Sequence, residues 1–179
     1  MRILAISGSL RAASTSTTLI RVAEKLAPEQ MEFTLYDRLA DLPHFSPDLD
    51  GGVPNPAVAQ LREQLQAADG VLICTPEYAF GVPGSLKNAL DWTVSSGDFS
   101  GKPVAVVSSS SLWGGGDKAQ ASLLLTLSAL GAKVPEEGKL AIPNANKKLN
   151  ANGELSDADT IHALKLVLDA LAQAVNTYA

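Results

Sequence analysis

"ILAISGSLRAASTSTTLIRVAEKL", residues 3–26, has the pattern of a strand, a loop and a helix in succession. The run at residues 2–6 is apolar after Arg2 and shows no alternation, which is typical of a strand buried on both faces. Leu19, Val22 and Leu26 then recur at spacings of three and four, which predicts a helix with one apolar face. A buried strand joined by a loop to such a helix is the unit from which α/β proteins are built.

Four more apolar runs of strand length follow along the chain, and helical patterns separate them. The runs lie at residues 32–36, 71–74, 104–108 and, more weakly, 140–142. The helical patterns are centred on Val58, Leu61 and Leu65; on residues 83–94; on Leu123, Leu127 and Leu130; and on Ile161, Leu164, Leu168, Leu171 and Val175. Ser156, followed three residues later by Asp159, is the predicted N-cap of the last helix. Five such units predict a parallel sheet between two helical layers.

The composition limits the partners of this chain. A net charge of -5 and a sequence pI near 5.0 argue against nucleic acid or an anionic membrane, because both require a basic surface. The single cysteine, Cys74, excludes an internal disulfide framework, and its apolar surroundings predict a buried thiol. No apolar stretch is as long as a membrane span, and the first run stops at Ser7 without the features of a secretion signal. We therefore expect a cytoplasmic protein.

The longest predicted connection lies at residues 42–56, between the second strand and the second helix. It contains four prolines and the triplet DGG, which is typical of a surface loop, and it is too short for a linker between domains. Without repeats or low-complexity tracts, residues 1–179 are predicted to form one domain. Open parallel sheets bind ligands beyond the carboxyl ends of their strands. The loops after the first, third and fourth strands are therefore the candidate sites.

The loop after the first strand, SGSLRAAS at residues 7–14, precedes a helix N-terminus, where free N–H groups attract phosphate. With one glycine, it matches neither a dinucleotide fingerprint nor a P-loop. Hydroxyl groups and a guanidinium would instead surround a terminal phosphate with three exposed oxygens. The candidate donors are Ser7, Ser9, Arg11, Ser14, Ser16 and Thr17. The alternative is a serine-rich turn that only caps the helix.

The loop after the third strand, TPEYAFGVPGS at residues 75–85, contains two prolines and two glycines. Prolines fix the backbone and glycines permit close approach, so this loop is suited to hold its peptide groups still beside a ligand. Pro76, Glu77 and Tyr78 would present backbone groups to the edge of a planar heterocycle. Tyr78 or Phe80 would cover a face of its ring. Ordinary packing of the two aromatic residues is the alternative.

The loop after the fourth strand, SSSSLWGGGDK at residues 108–118, has three consecutive glycines. N–H groups of Ser109, Gly114 and Gly115 are candidates to stabilise negative charge on a ring oxygen, with a flexible loop as the alternative. The sequence contains neither a metal-ligand cluster nor a nucleophile motif, so we expect no metal site and no side-chain catalyst. The chemistry would then come from a bound cofactor. A planar ring with one terminal phosphate is FMN.

Several residues outside these loops are predicted to have structural roles. Trp92 is expected in the core or in a subunit interface. Exposed positions are predicted for two histidines and for one face of the third helix: His44, His162, Lys87, Asn88 and Asp91.

Five stretches resemble the NAD(P)H-dependent FMN reductase family, the flavodoxin-like group that includes chromate and quinone reductases. They are SGSLRAAS at 7–14, LPHFSPDLD at 42–50, PEYAFGVPGSLKNALDW at 76–92, GGDKAQ at 115–120 and LNANGELSD at 149–157. They follow the family's order over nearly the whole chain, and the pattern at 76–92 is long and specific. The resemblance implies a flavodoxin-like fold, with a five-stranded parallel sheet of order 2-1-3-4-5 and helices on both faces.

The resemblance also implies roles for individual residues. The loop that holds the FMN phosphate is matched by Ser9, Arg11 and Ser16. The loop along the isoalloxazine ring is matched by Pro76, Glu77, Tyr78 and Ala79, and a further ring-contacting loop by residues 109–115. Family members pass a hydride from NAD(P)H to the flavin N5 and then reduce quinones, free flavin or metal oxyanions by ping-pong kinetics. Many are dimers or tetramers, so the resemblance implies a homodimer or homotetramer.

Three positions depart from the family pattern. Ser16 and Ala79 stand where asparagine is usual, and Lys118 stands where arginine is common. Ser16 can still donate to phosphate, whereas Ala79 has no side-chain donor, and a missing hydrogen bond of about 0.5–1.5 kcal/mol would weaken flavin binding up to roughly tenfold. A flavodoxin-type one-electron carrier and a non-catalytic flavin-binding relative are the alternatives. The choice between NADH and NADPH stays open, with Arg11 and Lys118 as candidate contacts for further phosphates.

Overall fold

The fold is described from a computed structural model, over residues 1–11, 13–53, 55–150 and 154–178. Within these residues, five strands form one parallel sheet in the order β2-β1-β3-β4-β5, which confirms the predicted fold. The strands are β1 (Arg2–Ser7), β2 (Glu32–Tyr36), β3 (Gly70–Pro76), β4 (Val104–Ser109) and β5 (Lys139–Ile142). Ala12, Pro54 and residues 151–153 of the quoted stretches lie outside the described residues.

Helices cover both faces of the sheet. They are α1 (Thr15–Leu26), α2 (Pro56–Ala67), α3 (Gly84–Asp91), α4 (Asp117–Ala129), the short α5 (Ala145–Lys148) and α6 (Ala158–Tyr178). Along β1, Leu4 and Ile6 pack in one buried cluster with α2, α3 and α4, whereas Ile3 and Ala5 pack in a second cluster with α1 and α6. The absence of alternation in the apolar runs is thus explained, because both faces of each central strand are buried.

Two predicted helix ends differ from those of the structure. The third helix ends at Asp91 rather than near residue 94, because the hydroxyl of Thr93 donates to the carbonyl of Leu90 at 2.7 Å and competes with further helical bonding. The last helix is not capped by Ser156. The hydroxyl of Ser156 donates to the carbonyl of Lys148 at 3.2 Å, and Asp157 accepts the helical N–H of Thr160 at 3.1 Å instead.

The connection after β2 is a surface loop that α3 holds in place. The carbonyl of Pro43 accepts from the side-chain amide of Asn88 at 2.9 Å and from the indole N–H of Trp92 at 2.8 Å. Asn88 also accepts the N–H of Phe45 at 2.8 Å, so its predicted exposure is wrong. Lys87 is exposed and pairs with the partly exposed Asp91, whereas Trp92 is buried as predicted. The pattern at residues 76–92 therefore includes residues that fix this connection.

An ion pair of low exposure holds the end of the same connection. Asp50 and Arg62 are 2.7 Å apart, with 10% and 16% of their side chains exposed. Arg62 also donates to the carbonyl of Trp92. The hydroxyl of Ser95 donates to Asp50, and the hydrogen bonds that Asp50 accepts from Ser95 and Arg62 lower the pKa of its carboxyl. The carboxyl of Asp50 is therefore charged at neutral pH.

The two histidines and the cysteine lie where the sequence predicts. His44 and His162 are exposed, and Cys74 is fully buried in β3, where burial raises the pKa of its thiol. Within the part of the chain that the structure describes, no helix combines the length and apolar character needed to cross a membrane.

Candidate active site

A cleft of about 330 Å³ lies where the loops after β1, β3 and β4 meet. β1 and β3 are neighbours in the sheet but not consecutive in sequence, so the cleft lies at the point where strand order reverses. Its volume is within the range of small-molecule sites. The lining residues are Ser9, Arg11, Ser14, Thr15, Ser16, Pro76, Glu77, Tyr78, Ser109, Ser110, Ser111, Ala145 and Asn146.

The cleft brings together most of the site residues that the sequence predicts. The predicted residues that line it are Ser9, Arg11, Ser14, Ser16, Pro76, Glu77, Tyr78, Ser109, Ser110 and Ser111. Those that lie outside its lining are Ser7, Thr17, Ala79, Phe80, Leu112, Trp113, Gly114 and Gly115. A role in binding stays a prediction for all of them.

The first loop uses several of its hydroxyls internally. The hydroxyl of Thr17 donates to that of Ser7 at 2.9 Å, which explains why Thr17 turns away from the cleft. The hydroxyl of Ser9 accepts the N–H of Arg11 at 3.3 Å. Gly8 serves strand packing, because a Cβ there would lie 2.8 Å from the hydroxyl oxygen of Thr75. This loop therefore holds its shape through its own side chains.

Within the part of the chain that the structure describes, one hydroxyl at the start of α1 has no hydrogen-bond partner. Ser14 is the N-cap, and its hydroxyl accepts the N–H of Ser16 at 3.2 Å. Ser16 is 1% exposed, and among the described residues its own hydroxyl has no hydrogen-bond partner. The exposed guanidinium of Arg11 likewise forms no ion pair within these residues. An unpaired donor, an exposed positive charge and a helix N-terminus together are suited to an anion.

The loop after β3 contains a two-residue turn with an unusual backbone. Tyr78 and Gly81 exchange both backbone hydrogen bonds, each 3.0 Å long. The two residues between them, Ala79 and Phe80, have φ angles of 49° and 61°. The N–H of Tyr78 is thus already engaged, in contrast to the predicted role at a ring edge. Its side chain remains half exposed at the cleft, and that of Phe80 is 78% exposed.

Glu77 has a side-chain role that the sequence does not indicate. Its Oε2 accepts the backbone N–H groups of Lys118 and Ala119, both at 3.0 Å. These residues lie in the first turn of α4, so the β3 loop is tied to the helix that follows β4.

The loop after β4 is anchored rather than loose. The hydroxyl of Ser108 donates to the carbonyl of Gly115 at 2.9 Å, and the N–H of Ser110 donates to the carbonyl of Ile142 at 3.2 Å. Gly115 has a φ of 64° and is buried against the chain that leaves β5. The side chain of Trp113 is 87% exposed beside these anchors. The alternative of a flexible loop does not agree with these bonds.

Sequence reasoning missed three lining residues. Thr15 belongs to the same run of hydroxyl residues as its predicted neighbours. Ala145 and Asn146 follow β5, the weakest of the predicted strands. The predicted fifth strand gave a reason to include them, because the segment after a fifth parallel strand lies at the same edge of the sheet as the loops after the other strands.

The residues of the cleft fit a phosphorylated planar cofactor better than a side-chain mechanism. Among the described residues, no group of three or more His, Cys, Asp or Glu side chains is arranged to hold a metal ion. The buried thiol of Cys74 does not line the cleft. The unpaired hydroxyl of Ser16 lies at the helix N-terminus, where a phosphate oxygen would complete its hydrogen bonding. A parallel sheet of this order with such a cleft fits the class of flavin-binding oxidoreductases.

Comparisons with known proteins agree with this class. A family model described as NADPH-dependent FMN reductase matches residues 1–147. An NAD(P)H-dependent FMN reductase of Pseudomonas aeruginosa is 36% identical over 174 residues, which is 96% of this chain and 93% of that protein. A quinone reductase of Escherichia coli is 34% identical over 177 residues, covering 97% of this chain and 94% of that protein. The solved structure of FerB, a flavoenzyme NAD(P)H:(acceptor) oxidoreductase from Paracoccus denitrificans, superimposes with a TM-score of 0.89 at 32% identity, over 99% and 98% of the two chains.

The chain belongs to the NADPH-dependent FMN reductase family. It is an NAD(P)H-dependent flavin oxidoreductase, with FMN as cofactor and NAD(P)H as electron donor. The predicted family, enzyme class and cofactors are confirmed, and the electron-carrier alternative is not supported.

Proposed function

We propose that the cleft binds FMN and that the protein passes electrons from NAD(P)H to a quinone. The phosphate would lie at the N-terminus of α1, and the ring would lie between the loops after β3 and β4. FMN bound there would supply the redox chemistry, namely hydride acceptance from the nicotinamide and electron transfer to the acceptor. The acceptor is suggested by the E. coli relative, which is named a quinone reductase.

The unpaired hydroxyl of Ser16 is the observation that carries this proposal. A buried hydroxyl without a partner destabilises a protein by about 1–3 kcal/mol unless a ligand or water satisfies it. Ser16 belongs to the lining of the cleft and to the first turn of α1, where N–H groups and the helix dipole favour negative charge. Arg11 would add a charge in fork geometry.

The remaining assignments follow from position in the loops. Polar groups of Ser9, Ser14 and Ser109 would contact the cofactor directly, and Pro76, Glu77 and Tyr78 would flank the ring. The residues outside the lining would act by shaping the loops: Thr17, Ala79, Phe80, Gly114 and Gly115.

We further propose that free flavin and metal oxyanions such as chromate also serve as acceptors.

A homodimer or homotetramer is supported by exposed apolar side chains near the cleft, among them Trp113 and Phe80. A single domain over residues 1–179 is supported by the one sheet with its two cores. A cytoplasmic location stays a prediction.

A serine variant and a control outside the cleft test the phosphate site. Ser16→Ala should raise the melting temperature of the flavin-stripped protein, because an unsatisfied group is removed, yet weaken FMN binding by roughly tenfold. Asn55→Ala is the matched control, because Asn55 caps α2 outside the cleft; the loss of that N-cap should lower the melting temperature by the equivalent of about 1 kcal/mol and leave FMN affinity unchanged. Unchanged FMN affinity in Ser16→Ala would show that the phosphate binds elsewhere.

The activity itself is tested with the FMN-loaded protein. Anaerobic NADPH should bleach the flavin absorbance, and a quinone should restore it with continued NADPH oxidation. The proposed function would be refuted if the protein retained no FMN. It would also be refuted if the bound flavin stayed oxidised after addition of either NADPH or NADH.

A further inference from the structure

The helix that follows the fourth-strand loop begins without a cap of its own. Gly116 occupies the N-cap position of α4 with a φ of 82° and offers no side chain to the free N–H groups. The N–H groups of Lys118 and Ala119 donate to Oε2 of Glu77 instead. The cap of α4 is thus supplied by a residue 41 positions away in sequence from the nearer donor.

This contact joins the two sides of the cleft. Glu77 lies between Pro76 and Tyr78 on one side, and α4 continues the chain from the serines on the other. The backbones of β3 and β4 are paired as far as Pro76 and Ser109. Beyond that pair, no hydrogen bond other than those of Glu77 connects residues 77–82 with residues 110–119 in the described part of the chain.

The two hydrogen bonds that Glu77 accepts are of a strong kind. A carboxylate at a helix N-terminus accepts charge-assisted hydrogen bonds and interacts favourably with the helix dipole. Because one oxygen accepts both N–H groups, the position of the β3 loop relative to α4 is fixed by two bonds that meet at one atom.

We propose that Glu77 is a positioning residue that sets the width of the cleft through its cap on α4, and thereby sets FMN affinity. The inference rests on the proposed function, because it requires that FMN lies between the two loops. Glu77 acts through the helix and the loop that it joins. Without the cap, the loop from Pro76 to Gly81 would have to be ordered at the moment of binding, which weakens affinity.

Four variants of the full chain separate this role from general stability. Glu77→Ala removes the acceptor, Glu77→Gln keeps an acceptor oxygen without the charge, and Glu77→Asp keeps the charge but shortens its reach. Asn55→Ala is the matched control, because Asn55 caps α2 by accepting the N–H of Ala57 at 2.9 Å and does not line the cleft. For each variant, the melting temperature of the flavin-stripped chain and the FMN dissociation constant by fluorescence titration would be measured.

Glu77→Ala and Asn55→Ala should lower the melting temperature to a similar extent, because each removes a helix cap. Only Glu77→Ala should also weaken FMN binding, by about tenfold or about 1.4 kcal/mol. Glu77→Gln should restore most of the affinity, whereas Glu77→Asp should not. If Glu77→Ala does not fold, the FMN dissociation constants of Glu77→Gln and Glu77→Asp are compared with each other instead.

Equal FMN affinity in Glu77→Ala and Asn55→Ala would overturn the inference while the proposed function stands. Failure of Glu77→Gln to restore binding, or full affinity in Glu77→Asp, would overturn it as well. A wild-type chain that binds no FMN would refute the proposed function and this inference together.

Discussion

Replacement of Ala79 by asparagine should make the flavin-free protein more stable. Ala79 and Phe80 both have positive φ angles, in a two-residue turn closed by Tyr78 and Gly81. Turns with two positive φ angles favour Asn-Gly, because other L-residues place their Cβ too close to the backbone. The strain amounts to about 1–2 kcal/mol for a residue such as alanine, and asparagine relieves part of it by local hydrogen bonding.

We expect a net gain of about 1 kcal/mol, which corresponds to about 2–4 °C in melting temperature for a chain of this size. Circular dichroism during heating of the flavin-stripped protein measures it. Ala121→Asn is the control, because Ala121 is exposed inside α4, where asparagine should lower stability by about 0.5 kcal/mol. If Ala79→Asn is no more stable than wild type, or if both variants shift in the same direction, the strain inferred from the φ angle is absent.

Two further predictions concern pH and the fourth-strand loop. Hydrogen bonds from Ser95 and Arg62 lower the pKa of Asp50, so its contribution to stability is present above the unfolded pKa of about 3.9 and is lost as pH falls through the lower folded value. Urea unfolding between pH 3 and 7 should therefore show a smaller acid-dependent loss in Asp50→Asn than in wild type, and equal losses would contradict this account. Gly115→Ala should lower the free energy of unfolding by about 2 kcal/mol or more, because the new Cβ would lie 3.0 Å from the backbone nitrogen of Ile142 at a φ of 64°. Chemical denaturation measures this effect, and an unchanged midpoint would refute it.

The parts of the fold that sequence predicts best are those that burial alone determines. β1, β3 and β4 are buried on both faces, so they appear as unbroken apolar runs. β5 lies at the sheet edge with only Ile142 fully buried, and its signal in the sequence is correspondingly weak. The same weakness hid Ala145 and Asn146, because a poorly defined strand draws no attention to the loop after it.

Helix ends and caps depend on contacts that local patterns do not contain. Ser156 has a suitable position for capping α6, but Lys148 engages its hydroxyl and Asp157 takes over the cap. Asn88 has the character of an exposed residue, yet it pairs with a backbone segment more than forty positions away. In each case the competing partner is close in space and distant from the local pattern.

The departure at Ala79 has a different physical meaning in the structure. From the sequence, alanine in place of asparagine predicts that a side-chain hydrogen bond to the flavin is missing. The structure places Ala79 outside the cleft lining and in a left-handed conformation, so backbone strain is the consequence that its geometry supports. No sequence pattern could reveal this, because Ala-Phe is not a turn signal and the turn is imposed by the pairing of Tyr78 with Gly81.

The serine-rich first loop has a structural role and, in the function proposed above, a binding role. The capping interpretation holds for part of the loop: Ser14 caps the helix, and the hydroxyls of Ser7 and Thr17 bond to each other. The hydroxyl of Ser16, in contrast, is buried without a partner within the described residues. A buried hydroxyl without a hydrogen-bond partner destabilises the folded chain. Its presence at a cleft therefore indicates a ligand site, whereas the number of hydroxyls in the loop does not. The phosphate hypothesis therefore depends on this one side chain, and Ser16→Ala separates it from the capping role of its neighbours.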